Sequence, residues 1–417
     1  METAPIDENK QRNVIMLWNY HNWGGAQIYL LSVIKHAPKN WKFKIVVPQN
    51  SPTDILELFK KHGAEIEFQD VLPFNEFAST IPQKLSRQWR RILAEYKTYK
   101  YISRQNLTDA VLHLETAPWQ SGLLIKKLAK KIDVFVTMHN SIPPVSKKRE
   151  TIFKSRLKYL SKINEFHIFT SNKDTKNSLK NWVTNKFWNR INVTYTCVDP
   201  PEIDSILDSN VSKNDLRKKF SIDEKKFVVL CVGQFIDRKG RRIFLEAASE
   251  LLKSDKNLQF LWLTQSEIGD EDENLVESFG LNDSFRIVKS ETVGTKREDI
   301  LNFFKIADCF ALPSFVEGLP IALLEAMALK LPSISTNINA IPEAIINNET
   351  GLLIKPGKAD ELAEAIKKIV DNPFLRTKLS ETGRDYVIEN FDERVCSEIV
   401  IGSYESAIKN RNLKRGN

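Results

Sequence analysis

Short apolar runs recur along almost the whole chain, and stretches with helical periodicity lie between them. Asn13 to Trp18, Phe43 to Val47, Glu65 to Phe68, Ala110 to Leu114, Val134 to Met138 and Phe166 to Phe169 read as strands in the first half. Phe227 to Val232, Leu258 to Leu263, Phe285 to Val288, Cys309 to Leu312, Pro332 to Ser335 and Gly351 to Ile354 do so in the second. A run such as NVIMLW has no polar face, so both of its sides must be covered, as in a parallel sheet between layers of helices. Strands that alternate with helices imply doubly wound α/β sheets. Such sheets bind ligands beyond the carboxyl ends of their strands. A chain of 417 residues has room for two of them. Val198-Asp199-Pro200-Pro201 breaks the pattern as a linker should. The expected division is a polar, disordered start over residues 1–12, a first Rossmann-like domain over 13–200, a second over 201–391, and a final helical segment over 392–417.

Charge separates the halves. Residues 1–200 carry 31 Lys and Arg against 17 Asp and Glu, a surplus of 14, although the whole chain stands at only +8. Residues 81–180, with 21 basic and 7 acidic side chains, hold that entire surplus. Such a field attracts an anionic surface or substrate. Its densest part is residues 81–105, a basic helix with Leu85, Trp89, Ile92 and Tyr96 on one stripe. That pattern fits an anionic membrane surface. It equally fits a surface helix packed on its sheet by the apolar stripe. No nucleic-acid motif accompanies the charge, so no nucleic-acid partner is expected. The four cysteines (Cys197, Cys231, Cys309, Cys396) are scattered and read as buried reduced thiols of a cytoplasmic protein. The first residues show no signal pattern, and no run approaches the ~18 apolar residues of a membrane-spanning helix.

Four stretches carry candidate chemistry. Cys309 to Leu312 ends at Pro313-Ser314-Phe315; Glu317 then stands in a loop before Gly318-Leu319-Pro320 and a helix from about Pro320 to Leu329, within which Glu325 lies. A helix mouth suits an anion, and carboxylates beside it suit hydroxyl groups. A nucleotide sugar offers both. On spacing alone, a solvated loop glutamate and an ordinary helix glutamate remain equally good readings. Gly233-Gln234-Phe235-Ile236-Asp237-Arg238-Lys239-Gly240 joins a buried strand to a helix expected over Arg242–Leu252, with adjacent Arg and Lys to meet a diphosphate. Gly24 and Gly25 follow the first strand and permit close approach of backbone to a ligand. His139 ends the strand VFVTM where a functional side chain would stand, and His113, ending another, is the weaker candidate. Asp270-Glu271-Asp272 is formally a D-x-D but reads as a solvated acidic loop.

Glu317 and Glu325, in E-G-L-P-x-x-x-L-E-A-M-A followed by A-I-P-E, resemble the E-x7-E motif of family 4 retaining glycosyltransferases, which have the GT-B fold. The resemblance runs over about residues 13–410 and is strongest over 227–355. It implies two Rossmann-like domains facing across a cleft, with the last helix returning to the first domain. It also implies that Glu317 contacts the donor sugar, that Glu325 contacts the nucleotide ribose, and that Gly318, Leu319 and Pro320 complete the donor loop. The loop from Gly233 to Gly240 is similar to the family's G-R-x-x-x-x-K-G, so Gly233, Arg238 and Lys239 face the diphosphate; Gln234 stands in place of the usual arginine. Gly24-Gly25 is similar to the loop near the donor diphosphate and acceptor, and Thr137-Met138-His139-Asn140 to the T-x-H-D/N segment beside the reacting sugar. Cys197-Val198-Asp199 keeps only part of N-G-I/V-D.

The resulting expectation is a metal-independent, cofactor-free enzyme moving a sugar from a nucleotide-sugar donor to a saccharide or lipid-linked acceptor. It would work in cell-surface polysaccharide or glycolipid synthesis, in the cytoplasm and peripheral to the membrane. Two alternatives stay open: another GT-B enzyme such as a nucleotide-sugar epimerase, and a non-catalytic anion-binding scaffold of the same fold.

Overall fold

The computed structural model describes residues 10–18, 25–49, 51, 53–70, 80–294 and 296–415. The chain divides into two compact units, Met1–Tyr195 with Glu393–Asn417, and Thr196–Asp392.

The first unit is built on seven parallel strands: β1 (Arg12–Leu17), β2 (Trp41–Val47), β3 (Glu65–Phe68), β4 (Ala110–Leu114), β5 (Asp133–Met138), β6 (Phe166–Thr170) and β7 (Asn192–Val193), in the order β3-β2-β1-β4-β5-β6-β7. Ile15 of β1 lies opposite Lys44 on one side and Leu112 on the other. Val14, Ile15, Met16 and Leu17 are all buried, as a run without a polar face demands. The core under the sheet gathers Leu112, Val134, Ile168 and Phe166 with Leu124, Leu128 and Leu157 from the covering helices. The last helix, Glu393–Arg415, packs on the first, Gly25–Lys35. Its Tyr404 ring meets Phe135 edge-on at 4.8 Å, and its Arg411 pairs with Asp133 at 2.7 Å, both side chains buried.

The second unit has six parallel strands: β8 (Phe227–Val232), β9 (Leu258–Thr264), β10 (Phe285–Lys289), β11 (Cys309–Leu312), β12 (Ser333–Thr336) and β13 (Leu352–Ile354), in the order β10-β9-β8-β11-β12-β13. Asp308 fixes the start of β11. It accepts from the β8 amide of Val228 at 2.7 Å and from Arg217 at 2.6 Å. Phe244 of the Arg241–Ser254 helix packs edge-on against Trp262 of β9, ring centroids 5.4 Å apart. Ser335 and Thr336 of β12 donate to the carbonyls of Leu312 (2.8 Å) and Ser314 (2.7 Å), pinning the exit of β11.

Several local expectations are corrected. The linker read from Val198-Asp199-Pro200-Pro201 is the mouth of a helix, Pro200–Asp208, because proline at a first helical position is already in helical geometry. The acidic stretch 270–272 is the first turn of the Asp270–Ser278 helix, where carboxylates are stabilised by the positive end of the helix dipole. The helix after Glu317 is Ile321–Ala328, since Pro320 has an extended ψ of 119°. The 81–105 stretch is a helix over Ile81–Ile102, but the stripe of Leu85, Trp89, Ile92 and Tyr96 points to solvent and not to the sheet. Of the polar start over residues 1–12, residues 1–9 lie outside the described residues and Arg12 already belongs to β1. All four cysteines are buried free thiols.

Candidate functional site

In each unit the strand order reverses once, between β1 and β4 in the first and between β8 and β11 in the second. Helices leave such a sheet in opposite directions at that point, which opens a crevice at the carboxyl ends. Glu317, Lys239, Arg238 and Gly233 lie in loops after β8 and β11, and His139 follows β5.

In the second unit the loop after β8 and the loop after β11 close on one another. Gly240 sits in a left-handed conformation, φ +79°, and a Cβ there would come within 2.0 Å of the Pro313 carbonyl oxygen. Only glycine permits that approach. Phe315 donates its amide to the Arg238 carbonyl at 2.8 Å, and the Arg238 guanidinium donates to the Val316 carbonyl at 3.1 Å. This clamp brings Lys239 to Glu317: Nζ donates to Oε1 at 2.6 Å. Ser314 Oγ donates to the same oxygen at 2.7 Å. Asn339 Oδ1 lies 3.4 Å from the Glu317 amide. Glu317 is therefore no solvated loop carboxylate; its side chain is 6% exposed and its partner Lys239 15%. Oε2 is left with the Arg238 guanidinium at 4.0 Å, beyond hydrogen bonding, and can still accept. Gly233, φ +153°, has the Lys239 stem packed over its Cα, 3.6 Å from the position of a Cβ. Gly318 is half-buried, while Leu319 and Pro320 are buried. Gln234, in place of an arginine, is exposed. A small polar recess opens between the ends of β9 and β10, lined by Thr264, Gln265, Ser266, Lys289 and Ser290.

Glu325 is drawn into a different set. Its recorded ionic partner is Arg297, at 2.8 Å, which also binds Glu202 at 2.9 Å. Burial pushes the Glu325 carboxyl pKa up by more than Arg297 pulls it down. Burial also works against the Arg297 charge, and Glu325 and Glu202 together overcome it, leaving that pKa raised.

On the edge of the first unit, Glu115 follows β4 and His139 follows β5. His139 Nε2 is 3.8 Å from Glu115 Oε2 and makes no hydrogen bond among the described residues. Ser171 Oγ and Asn172 Nδ2 donate to the His139 carbonyl at 3.2 and 3.3 Å, which fixes the backbone and leaves the ring to point elsewhere. Tyr29, one turn into the helix that Gly25 opens, meets the ring edge-on at 5.4 Å. Gly24 lies outside the described residues. His113, the weaker candidate, is a core residue: it is buried, bonded through Nδ1 to Tyr404 Oη at 2.5 Å and through Nε2 to Thr137 Oγ1 at 2.9 Å. Burial lowers its pKa to about 4.

The structure thus groups Glu317, Lys239, Arg238 and Gly233 in the second unit, and sets His139 beside Glu115 and Tyr29 in the first. Sequence reasoning missed Ser314, Asn339, Arg297, Glu202 and Glu115. Ser314 alone had a signal, three residues before Glu317. The others reach the site from distant segments.

Two parallel, doubly wound units of this topology make a GT-B fold. Residues 212–386, most of the second unit, match the family of glycosyl transferases group 1. Among curated proteins, the chain is 26% identical over 197 residues to the alpha-D-kanosaminyltransferase of Streptomyces kanamyceticus, covering 47% of this chain and 50% of that one. It is 27% identical over 183 residues to the UDP-Gal:alpha-D-GlcNAc-diphosphoundecaprenol alpha-1,3-galactosyltransferase of Escherichia coli, covering 44% and 46%. The chain spans about half the length of these curated relatives. Over nearly the full length, the fold is similar to a glycosyltransferase crystal structure from Rickettsia africae, with TM-score 0.74, 20% identity, and coverage of 96% and 99%.

Proposed function

We infer that this protein transfers a sugar from a nucleotide-sugar donor to a saccharide or lipid-linked acceptor, at the cytoplasmic face of a membrane, in cell-surface polysaccharide or glycolipid synthesis. The observation that carries this reading is the Lys239–Glu317 pair at the reversal point between β8 and β11. The pair sets a cation for a phosphate beside a carboxylate whose second oxygen can accept sugar hydroxyls. The E. coli relative, named for a UDP-sugar donor and a diphospholipid-linked acceptor, supports both substrate classes.

The inferred chemistry follows from charge. As the sugar leaves, negative charge builds on the diphosphate, and Lys239 and Arg238 stabilise it in a partly dry site. Glu317 orients the sugar and is no general base, since its Oε1 is already occupied by Lys239 and Ser314. Glu325 takes the ribose, in exchange with Arg297. The acceptor hydroxyl attacks from the leaving-group side and a phosphate oxygen takes its proton, so the anomeric configuration is retained. His139, whose Nε2 has no hydrogen bond among the described residues, is the first unit's group for the reacting sugar. The charge that a divalent ion would supply comes from Lys239 and Arg238, so the reaction is expected to run without metal.

The test is release of nucleotide from UDP-, GDP- and ADP-sugars, with and without a lipid extract and with EDTA. Release from one donor, increased by lipid, indifferent to EDTA and giving a product of unchanged anomeric coupling by NMR, is the expected result. Conversion of the donor with no acceptor present would replace transfer by epimerisation. No turnover and no donor binding by calorimetry would overturn the reading.

A further inference from the structure

The Ile81–Ile102 helix has its polarity reversed relative to an ordinary surface helix. Thr98 and Ile102 face the unit and are buried, and Tyr101 reaches in to Glu67 at 2.7 Å. Arg91 donates to Gln120 at 2.9 Å and to Ser121 at 3.2 Å, which ties the helix to the turn before the Gly122–Leu128 helix. The opposite side carries Leu85, Trp89, Ile92, Leu93 and Tyr96, each between 54% and 72% exposed. At 100° per residue these five span less than a third of the circumference. A contiguous apolar stripe held outward by polar anchors is a binding surface and not an unfinished core.

The charge around the stripe identifies what covers it. The helix holds six Lys and Arg against one acidic residue, Glu95. Exposed Lys97 borders the stripe, and exposed Lys100 continues its line one turn beyond Tyr96. The Gly122–Leu128 helix, which packs beside it, adds an exposed Leu123 with Lys126 and Lys127. Two copies of this face would repel each other. A nucleic acid would satisfy the cations but not Leu85, Ile92 and Leu93. An anionic bilayer meets both demands: aliphatic chains enter the acyl boundary, Trp89 and Tyr96 sit at headgroup level, and the lysines meet lipid phosphates.

We propose that the Ile81–Ile102 helix lies flat on anionic phospholipid and docks the protein through Leu85, Trp89, Ile92, Leu93 and Tyr96. The helix runs roughly 33 Å along the surface. The proposal rests on exposure and charge and does not depend on the reaction inferred for the second unit.

The test is flotation of the full chain with phosphatidylcholine vesicles, with and without phosphatidylglycerol. The protein should float only with the anionic vesicles and be released at about 1 M salt, where the Debye length falls to about 3 Å. Trp89→Glu with Ile92→Glu should lower the partition coefficient about tenfold or more. Lys97→Glu with Lys100→Glu should lower it by about thirtyfold or more. Both variants alter exposed side chains, so the melting temperature should hold. Failure of the folded protein to float with anionic vesicles would overturn the proposal, as would variants that float like the parent. A dimer in sedimentation that Trp89→Glu with Ile92→Glu dissociates would also overturn it, assigning the face to a second copy.

Discussion

The two sheets present their carboxyl edges in opposite states. In the second unit the charged groups are closed on one another, with Lys239 on Glu317 at 2.6 Å and the Gly240 backbone pressed against Pro313. In the first, His139 and Glu115 stand 3.8 Å apart and the imidazole Nε2 makes no hydrogen bond among the described residues. A closed edge can hold a ligand's charge without rearranging, which is where electrostatic catalysis gains most. An open edge offers groups that a ligand must still complete. On the function proposed above, the second unit would fix the donor and the first would adapt to an acceptor.

The largest break in that comparison is Glu317→Ala. It removes the sugar's acceptor and leaves Lys239 buried without its partner, so turnover should fall by at least about a thousandfold while the protein stays folded. Lys239→Ala should cost about a hundredfold or more. If the pair acts as one unit, the double variant will be little worse than Glu317→Ala alone, as kinetics of all three would reveal. Additive losses would mean that the two residues work separately. On the open edge, His139→Ala should cost less, about tenfold, and the loss should fall on kcat, since the ring serves the reacting sugar. A loss as large as that of Glu317→Ala would erase the contrast between the edges.

How much of this was legible in the sequence follows from range. The strands were, because buried strands lack a polar face, and so were Glu317, Lys239 and Gly240, because each loop is a contiguous motif. Arg297 and Glu202 were not, since no spacing links position 202 to 297 or 325. Asn339 reaches Glu317 from a left-handed turn, φ +43°, that its neighbours do not announce. The stripe from Leu85 to Tyr96 had the correct period, but period does not tell an apolar face turned inward from one turned outward. His113 and His139 looked alike as histidines at strand ends; burial and the hydroxyls of Thr137 and Tyr404, the latter 291 residues away, separate them.

That pair supplies the smallest effect and a direct test of which histidine is structural. Burial holds His113 neutral with a pKa of about 4, against an ordinary 6.5. Above pH 6.5 neither the folded nor the unfolded chain protonates it, and its contribution to stability is whole. As pH falls below 6.5 the unfolded chain takes up a proton that the folded chain refuses until about pH 4, so stability is lost across that window. By about pH 5 the loss should be about 2 kcal/mol. Urea unfolding of the parent and of His113→Gln at pH 7 and about pH 5 isolates this term. The variant should be less stable at pH 7, having lost a buried hydrogen-bond pair, and the gap should narrow by about 2 kcal/mol on acidification. Parallel curves for the parent and His113→Gln would sink the assignment of His113 as the structural histidine.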